Sequence, residues 1–271
     1  YIHEAAAPGI TKGCEDDVKK EQEAWKEYTP YGSKDPCAGV GMGKPPTDKG
    51  VDRGMAKPIA DRLAHLVVCN DCLNARRCQL SPWKSGENAD GKSVKPNCCP
   101  GQTPHHIVEK SCFGEDEAKS PFKGMAKYDP KMAPCVCAEG TGHSMGGTHE
   151  LMHVFQKAST LASIEGQAKV KLPMEAAGKS SEPLNTVTYA EARKTGADAF
   201  EQVFPDAGCN RDCIEKQLDA YHKGQCGLSD NTPVKACTVG PAESTMTVQQ
   251  ANKEIAMRSW NRNQLPSVYR K

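Results

Sequence analysis

The sequence predicts an α+β chain, mainly α-helical with long loops, cysteine-rich, and built around a small ββα metal finger. Three observations carry that reading. Thr103-Pro104-His105-His106 is followed some forty residues on by Thr148-His149-Glu150-Leu151-Met152-His153. Fourteen cysteines are spread in groups along 271 residues. Hydrophobic residues make up 37% of the chain and aromatic residues only 6%, a polar composition with long loops in a length that can hold one or two domains and bury a real core.

In chain order, residues 1–58 are rich in Gly, Pro and charge, with one polar helix expected near 15–28, and read as a linker or N-terminal extension. Residues 59–68 are amphipathic and helical. The short apolar pair Ile107-Val108 suits one strand of a hairpin and Cys135-Val136-Cys137 the other. Gly140-Thr141-Gly142 and Gly146-Gly147 signal a turn before a helix over 149–163, with Thr148 as its expected N-cap. Further helices are expected near 189–204, 211–223 and 247–260. The central unit is set at 59–245, and 246–271 forms a basic C-terminal helix and tail. Within 252–271, Lys253, Arg258, Arg262, Arg270 and Lys271 stand against Glu254 alone. A solvated basic end and a phosphate contact both fit that surplus.

Five of the eight histidines, His105, His106, His143, His149 and His153, fall in this central stretch. His149 and His153, four residues apart, share a helix face and can reach one metal ion. Adjacent side chains on a strand point to opposite faces, so His105 and His106 cannot both bind that ion. One binds while the other faces water or substrate, an arrangement suited to metal-assisted hydrolysis with a separate general base. His143 is a ligand, a substrate contact or an exposed turn residue.

Cysteine density at this level implies disulfides formed in an oxidising place, structural zinc, or both. The candidates are Cys69, Cys72, Cys78, Cys98, Cys99, Cys135, Cys137, Cys209, Cys213 and Cys226. Cys69 and Cys72 have zinc-knuckle spacing without a second pair to match. Cys209 and Cys213 are one helical turn apart and suggest a helix hairpin stapled to its loop. A net charge of +1 argues neither for nor against nucleic acid, and no apolar run is long enough to span a bilayer. The chain begins Tyr1-Ile2-His3, which reads as a module from the C-terminal end of a longer protein or a processed product.

The segment from Cys98 to Glu109 resembles the signature of GHH toxin nucleases of the HNH and endonuclease-VII-like superfamily. Ala133 to Gly140 with Gly147 to His153 is similar to the family's second block, and the resemblance extends over about 65–240. Pro104 stands where the name-giving glycine would be. The resemblance implies that His105, His149 and His153 bind one divalent metal ion and that His106 is the general base. It implies a DNase of low sequence specificity, with Lys110 and Lys127 as candidate phosphate contacts beside Lys123 and Lys131. Three imidazoles favour zinc, nickel or copper by affinity, with Mg²⁺ or Mn²⁺ as further working ions. The biology it implies is a secreted antibacterial effector, delivered into a target bacterial cytoplasm by type VI secretion behind a spike-tip module and neutralised by a cognate immunity protein.

Two other readings compete. His149-Glu150-Leu151-Met152-His153 matches the H-E-x-x-H pattern of zinc metallopeptidases, in which the glutamate activates water. Glu150 would then contact metal or substrate, with Glu165, Glu175 or Glu182 as third ligand. A non-enzymatic module would hold a closed structural metal site.

Overall fold

The computed structural model describes residues 53–68, 77–83, 98, 102–115, 118–140, 146–237 and 245–264. The expected helix near 15–28, Cys69, Cys72, Cys99 and His143 lie outside the described residues. The fold is mixed, with helices around three small antiparallel sheets.

Helix α1 (Arg53–Val67) leads to strand β1 (Ser81–Pro82). Strand β2 (Gln102–His106) pairs antiparallel with β5 (Pro134–Glu139), and β1 pairs with the other edge of β5. The short strands β3 (Gly114–Glu115) and β4 (Ser120–Pro121) form a hairpin between them. Helix α2 (Gly147–Ser163) follows β5, so strand, strand and helix occur in the expected order. Strand β6 (Thr186–Thr188), helix α3 (Tyr189–Val203), helix α4 (Arg211–Asp219), a π-helical turn (Ala220–Gln225), β7 (Pro233–Lys235) and helix α5 (Val248–Gln264) complete the chain.

The first strand is displaced from its expected place. Pairing runs from Gln102↔Glu139 to His106↔Cys135 and stops before Ile107-Val108. Those two side chains are buried in the core instead. Pro104 is accommodated because β2 is an edge strand, where a missing N–H need not join the ladder. No described helix is long and apolar enough to cross a membrane.

Helix α2 is nearly all buried in its first half, from Gly147 to Gln156 apart from His149. Leu151, Met152 and Phe155 join Ile107, Phe113, Val136, Phe200 and Leu218 in the main core. The turn before α2 depends on glycine. Gly140 and Gly147 have φ of 101° and 67°. A Cβ on Gly147 would meet the Glu139 carbonyl oxygen at 2.3 Å, so only glycine lets the helix start press against the end of β5.

Thr148 is not the N-cap. The helix begins two residues earlier than expected, at Gly147, with Gly146 in the cap position and no side-chain cap bond from it. Two carboxylates serve the first N–H groups instead. Glu150 Oε2 accepts from Gly146 N at 2.8 Å, and Asp61 Oδ1 of α1 accepts from Gly147 N at 2.7 Å. Thr148 turns inward, donating to Glu139 Oε2 at 2.5 Å and accepting from Glu139 N at 2.9 Å. Helix α3 carries a full capping box, with Thr188 and Glu191 exchanging bonds.

Three disulfides lie among the described residues: Cys78–Cys209, Cys98–Cys137 and Cys112–Cys237. They correct the expected stapled hairpin, because Cys209 reaches back 131 residues rather than to a neighbour. Cys135, Cys213 and Cys226 are buried, and none of them joins a three-ligand metal cluster among the described residues. The pair Cys112–Cys237 lies outside the expected set.

The C-terminal helix is docked rather than solvated. Ala251 and Arg258 of α5 are buried, and Arg262 Nη1 donates to the Val68 carbonyl at 2.7 Å. Two charges of the basic surplus are therefore turned into the protein.

Candidate active site

Strand β2 and helix α2 bring His105, His149 and His153 together. One ring nitrogen from each lies within 4.8 Å of the others. The His105 ring stands edge-on to both partners, with centroids 4.8 Å from His149 and 4.5 Å from His153. His149 and His153 stack at 5.2 Å, as a pair one helical turn apart should.

The surrounding hydrogen bonds decide which nitrogen of each ring carries a lone pair. Thr103 has one hydroxyl proton, and it donates that proton to the Gly140 carbonyl at 2.6 Å. It therefore accepts from His149 Nδ1–H at 2.6 Å, which leaves Nε2 of His149 as the ligand atom. Glu109 Oε1 accepts from His153 Nδ1–H at 3.4 Å, leaving its Nε2 likewise. Gln156 Nε2 donates to the Ile107 carbonyl at 2.9 Å, which turns Oε1 toward His105. His105 Nε2–H donates to that oxygen at 3.0 Å, so its lone pair is on Nδ1. Each of the three rings has a partner that fixes its tautomer, as metal-ligating histidines characteristically do. Burial, reinforced by the neighbouring His153 and His149, lowers the His105 pKa well below the ordinary imidazole value and favours the neutral form that binds metal. The donor set fits a divalent ion held by three imidazoles with positions left open.

His106 points elsewhere, as strand alternation requires. Its Nε2–H donates to the Pro130 carbonyl at 2.8 Å, so Nδ1 holds the lone pair. Burial lowers its pKa to about 4, with Lys110 adding to the fall and the Pro130 carbonyl and Glu109 opposing it. The ring is neutral at physiological pH, the form a general base must have.

The loop that supplies this carbonyl is held from the far end of the chain. Tyr221, in the π-helical turn, donates its hydroxyl to the Asp129 carbonyl at 2.7 Å and accepts from Asp129 N at 2.9 Å. The next residue, His222, stacks on Phe113 at 5.1 Å, and its Nδ1–H donates to the Leu218 carbonyl at 3.0 Å. Single π turns inside helices recur at functional positions, and this one presents a strut to the loop beside His106.

Glu150 does not reach the histidines. Its Oε2 is taken by Lys57 Nζ at 2.5 Å and by Gly146 N, so it closes the helix start. That removes the water-activating glutamate of the peptidase reading and corrects Glu150 as a metal or substrate contact. Glu175 accepts from Gly124 N, and no carboxylate joins the histidine cluster among the described residues. Lys110 is half-buried near His106, while Lys123, Lys127 and Lys131 are exposed on the loop that carries Pro130.

Thr103, Glu109, Gln156 and Tyr221 had no assigned role in the sequence reading. The first was visible in principle, since Thr103 lies two residues before His105 on the same strand face. Gln156 is three residues after His153 on the same side of α2. The role of Tyr221 depends on tertiary packing and has no local signal.

A paired strand hairpin and a helix that present three histidines to one point form a ββα unit, the arrangement HNH nucleases carry, with a donor set fit for one metal ion. Residues 102–222, a little under half of the chain, match the family described as "GHH signature containing HNH/Endo VII superfamily nuclease toxin 2". The chain is also 38% identical over 254 residues to a protein named DNase toxin Tse7 from Pseudomonas aeruginosa. That similarity covers 92% of this chain and 59% of the relative, so the chain spans less than two thirds of the relative's length. No solved structure matches.

Proposed function

We propose that this chain is the nuclease module of an antibacterial toxin, a metal-dependent endodeoxyribonuclease of low sequence specificity. The observation that carries the proposal is the convergence of one ring nitrogen each from His105, His149 and His153, with each ring hydrogen-bonded from behind, beside a neutral His106. The family match over residues 102–222 and the relative's printed name, DNase toxin, support the same reading.

In this proposal His105, His149 and His153 hold one divalent ion, with Mg²⁺, Mn²⁺, Ni²⁺ and Zn²⁺ as candidates. When bound, the ion supplies Lewis-acid stabilisation of charge on the phosphate and the departing 3′ oxygen. His106 Nδ1 takes a proton from water as the water oxygen bonds to phosphorus and the P–O3′ bond breaks. The Pro130 carbonyl keeps Nε2–H in place and stabilises the imidazolium that forms. Lys110 and Lys127 hold flanking phosphates, contacts that position a duplex without reading its sequence. Delivery by type VI secretion behind a spike-tip module, and restraint by a cognate immunity protein with an acidic face, belong to the same proposal.

Plasmid DNA incubated with each metal, with EDTA as control, tests it. The expected result is metal-dependent nicking that disappears in His106→Ala and persists in Glu150→Gln. Intact plasmid under every condition refutes the DNase reading. Cleavage of casein that is lost in Glu150→Gln and kept in His106→Ala would restore the peptidase reading.

A further inference from the structure

Helix α5 closes over Arg77 and Phe204, and the seam encloses a small cavity. Val68, Arg77, Phe204, Asp206, Ile255 and Arg258 are among its lining, with room for about one water-sized guest. Both arginines are almost wholly buried, Arg77 at 4% exposure and Arg258 at 3%. Arg77 spends Nη2 on Glu139 and lays its guanidinium over the Phe204 ring at 4.2 Å, but its Nε has no partner. Arg258 has neither Nε nor Nη2 partnered. Two buried cations that line one cavity thus carry three nitrogens between them with no acceptor among the described residues.

The carboxylates nearby are committed elsewhere. Glu139 Oε1 accepts from Arg77 and Gln102, and its Oε2 from Thr148. Asp206 Oδ2 accepts from Ser259 Oγ at 2.6 Å, and Oδ1 faces Arg262 Nε at 3.9 Å. Glu254, one helical turn before Arg258, binds His65 at 2.7 Å. Burial draws the Arg258 pKa down to about 10 against the pull of Glu139, a sign of how poorly the cation is compensated. A water here would have to place two hydrogens of its own where the carboxylate oxygens already accept bonds or, at Asp206 Oδ1, face Arg262. An anion offers acceptance alone, and it neutralises charge that desolvation makes costly.

We propose that this cavity is a binding site for a halide-sized anion, chloride in solution, which pins helix α5 to the domain through Arg77 and Arg258. Crystals of the full chain soaked in sodium bromide, measured at the bromine edge, test occupancy directly. An anomalous peak within hydrogen-bonding reach of Arg77 Nε and Arg258 Nε and Nη2 is expected. A cavity holding only water at high bromide overturns the proposal. In solution, unfolding is followed in potassium chloride and in potassium gluconate at equal ionic strength. Chloride should raise Tm saturably, by about 3–5 °C at ten times its dissociation constant. Arg258→Met removes both orphan donors and should retain its gluconate Tm while losing the chloride response. An equal chloride response in Arg258→Met and the parent also overturns the site. If that variant does not fold, the bromide measurement on the parent decides alone.

Discussion

Glu139→Gln isolates the electrostatic part of the joint beneath the histidine helix. The carboxylate is fully buried and ties three elements together. Arg77 Nη2 donates to it at 2.7 Å, Gln102 of β2 at 2.8 Å and Thr148 of α2 at 2.5 Å. A glutamine with its oxygen in the Oε1 place keeps the Arg77 and Gln102 bonds. Its NH₂ then faces the Thr148 hydroxyl, which can rotate to accept. The count of hydrogen bonds nearly survives, but Arg77 loses its counter-ion and Arg258 loses the nearest charge that favours it. Removing one partner of a buried ion pair costs about 3–5 kcal/mol, and the retained bonds place this case near about 3. For a chain of this size that is a fall in Tm of about 6–12 °C. The pH dependence gives a second readout. Burial alone would raise the Glu139 pKa, but Arg77 and the Thr148 and Gln102 donors outweigh it and hold the carboxyl below its ordinary 4.5. The folded state then binds fewer protons than the unfolded chain in that acid window, so Glu139 stabilises above it and the contribution is lost as pH falls through the folded value. Denaturant titrations from neutral pH into that window should show a shallower acid loss in Glu139→Gln. A cost below about 1 kcal/mol at neutral pH, with an unchanged acid slope, would refute the reasoning.

Three further outcomes follow from the geometry. Tyr221→Phe removes both bonds to the Asp129 backbone and should cost about 1–3 kcal/mol of stability; plasmid nicking should fall while metal affinity, measured by calorimetry, stays within twofold. Thr103→Val leaves His149 Nδ1–H without its acceptor and should weaken metal binding about 10–100-fold, read by chelator competition. Burial lowers the His222 pKa to about 3, so the folded chain resists a proton that the unfolded chain accepts below about 6.5. Stability should therefore fall on acidification from pH 6.5, by up to about 1.4 kcal/mol per unit from this residue, and His222→Gln should flatten that slope.

What was legible in the sequence was periodic or local. His149 and His153 declare a helix face by spacing alone, and alternation separates His105 from His106. The glycines of the turn announce where the chain reverses. Strand β2 was placed too late because Ile107-Val108 looks like strand on apolar character, whereas register is set by Gln102 reaching Glu139 across the ladder. Thr148 was read as an N-cap because it precedes the periodic residues, yet Asp61 of another helix does part of that work. The disulfides were unreadable for a related reason: pairings such as Cys78–Cys209 and Cys112–Cys237 join residues that only the finished fold brings together. Arg258 was a surface charge on paper, and burial by α5 is a tertiary fact.

The strut from Tyr221 has a bearing on the order of events during synthesis. All four histidines of the site are in the chain once residue 153 has been added, and helix α2 is complete at Ser163. A ribosome that has gone no further has made all four imidazoles, but the loop bearing Pro130 still lacks its brace. That brace arrives with Tyr221, and the bond from Cys112 cannot close before Cys237. The four imidazoles thus precede their supports in synthesis, the brace by some seventy residues from His153 and the Cys112 bond by more than eighty.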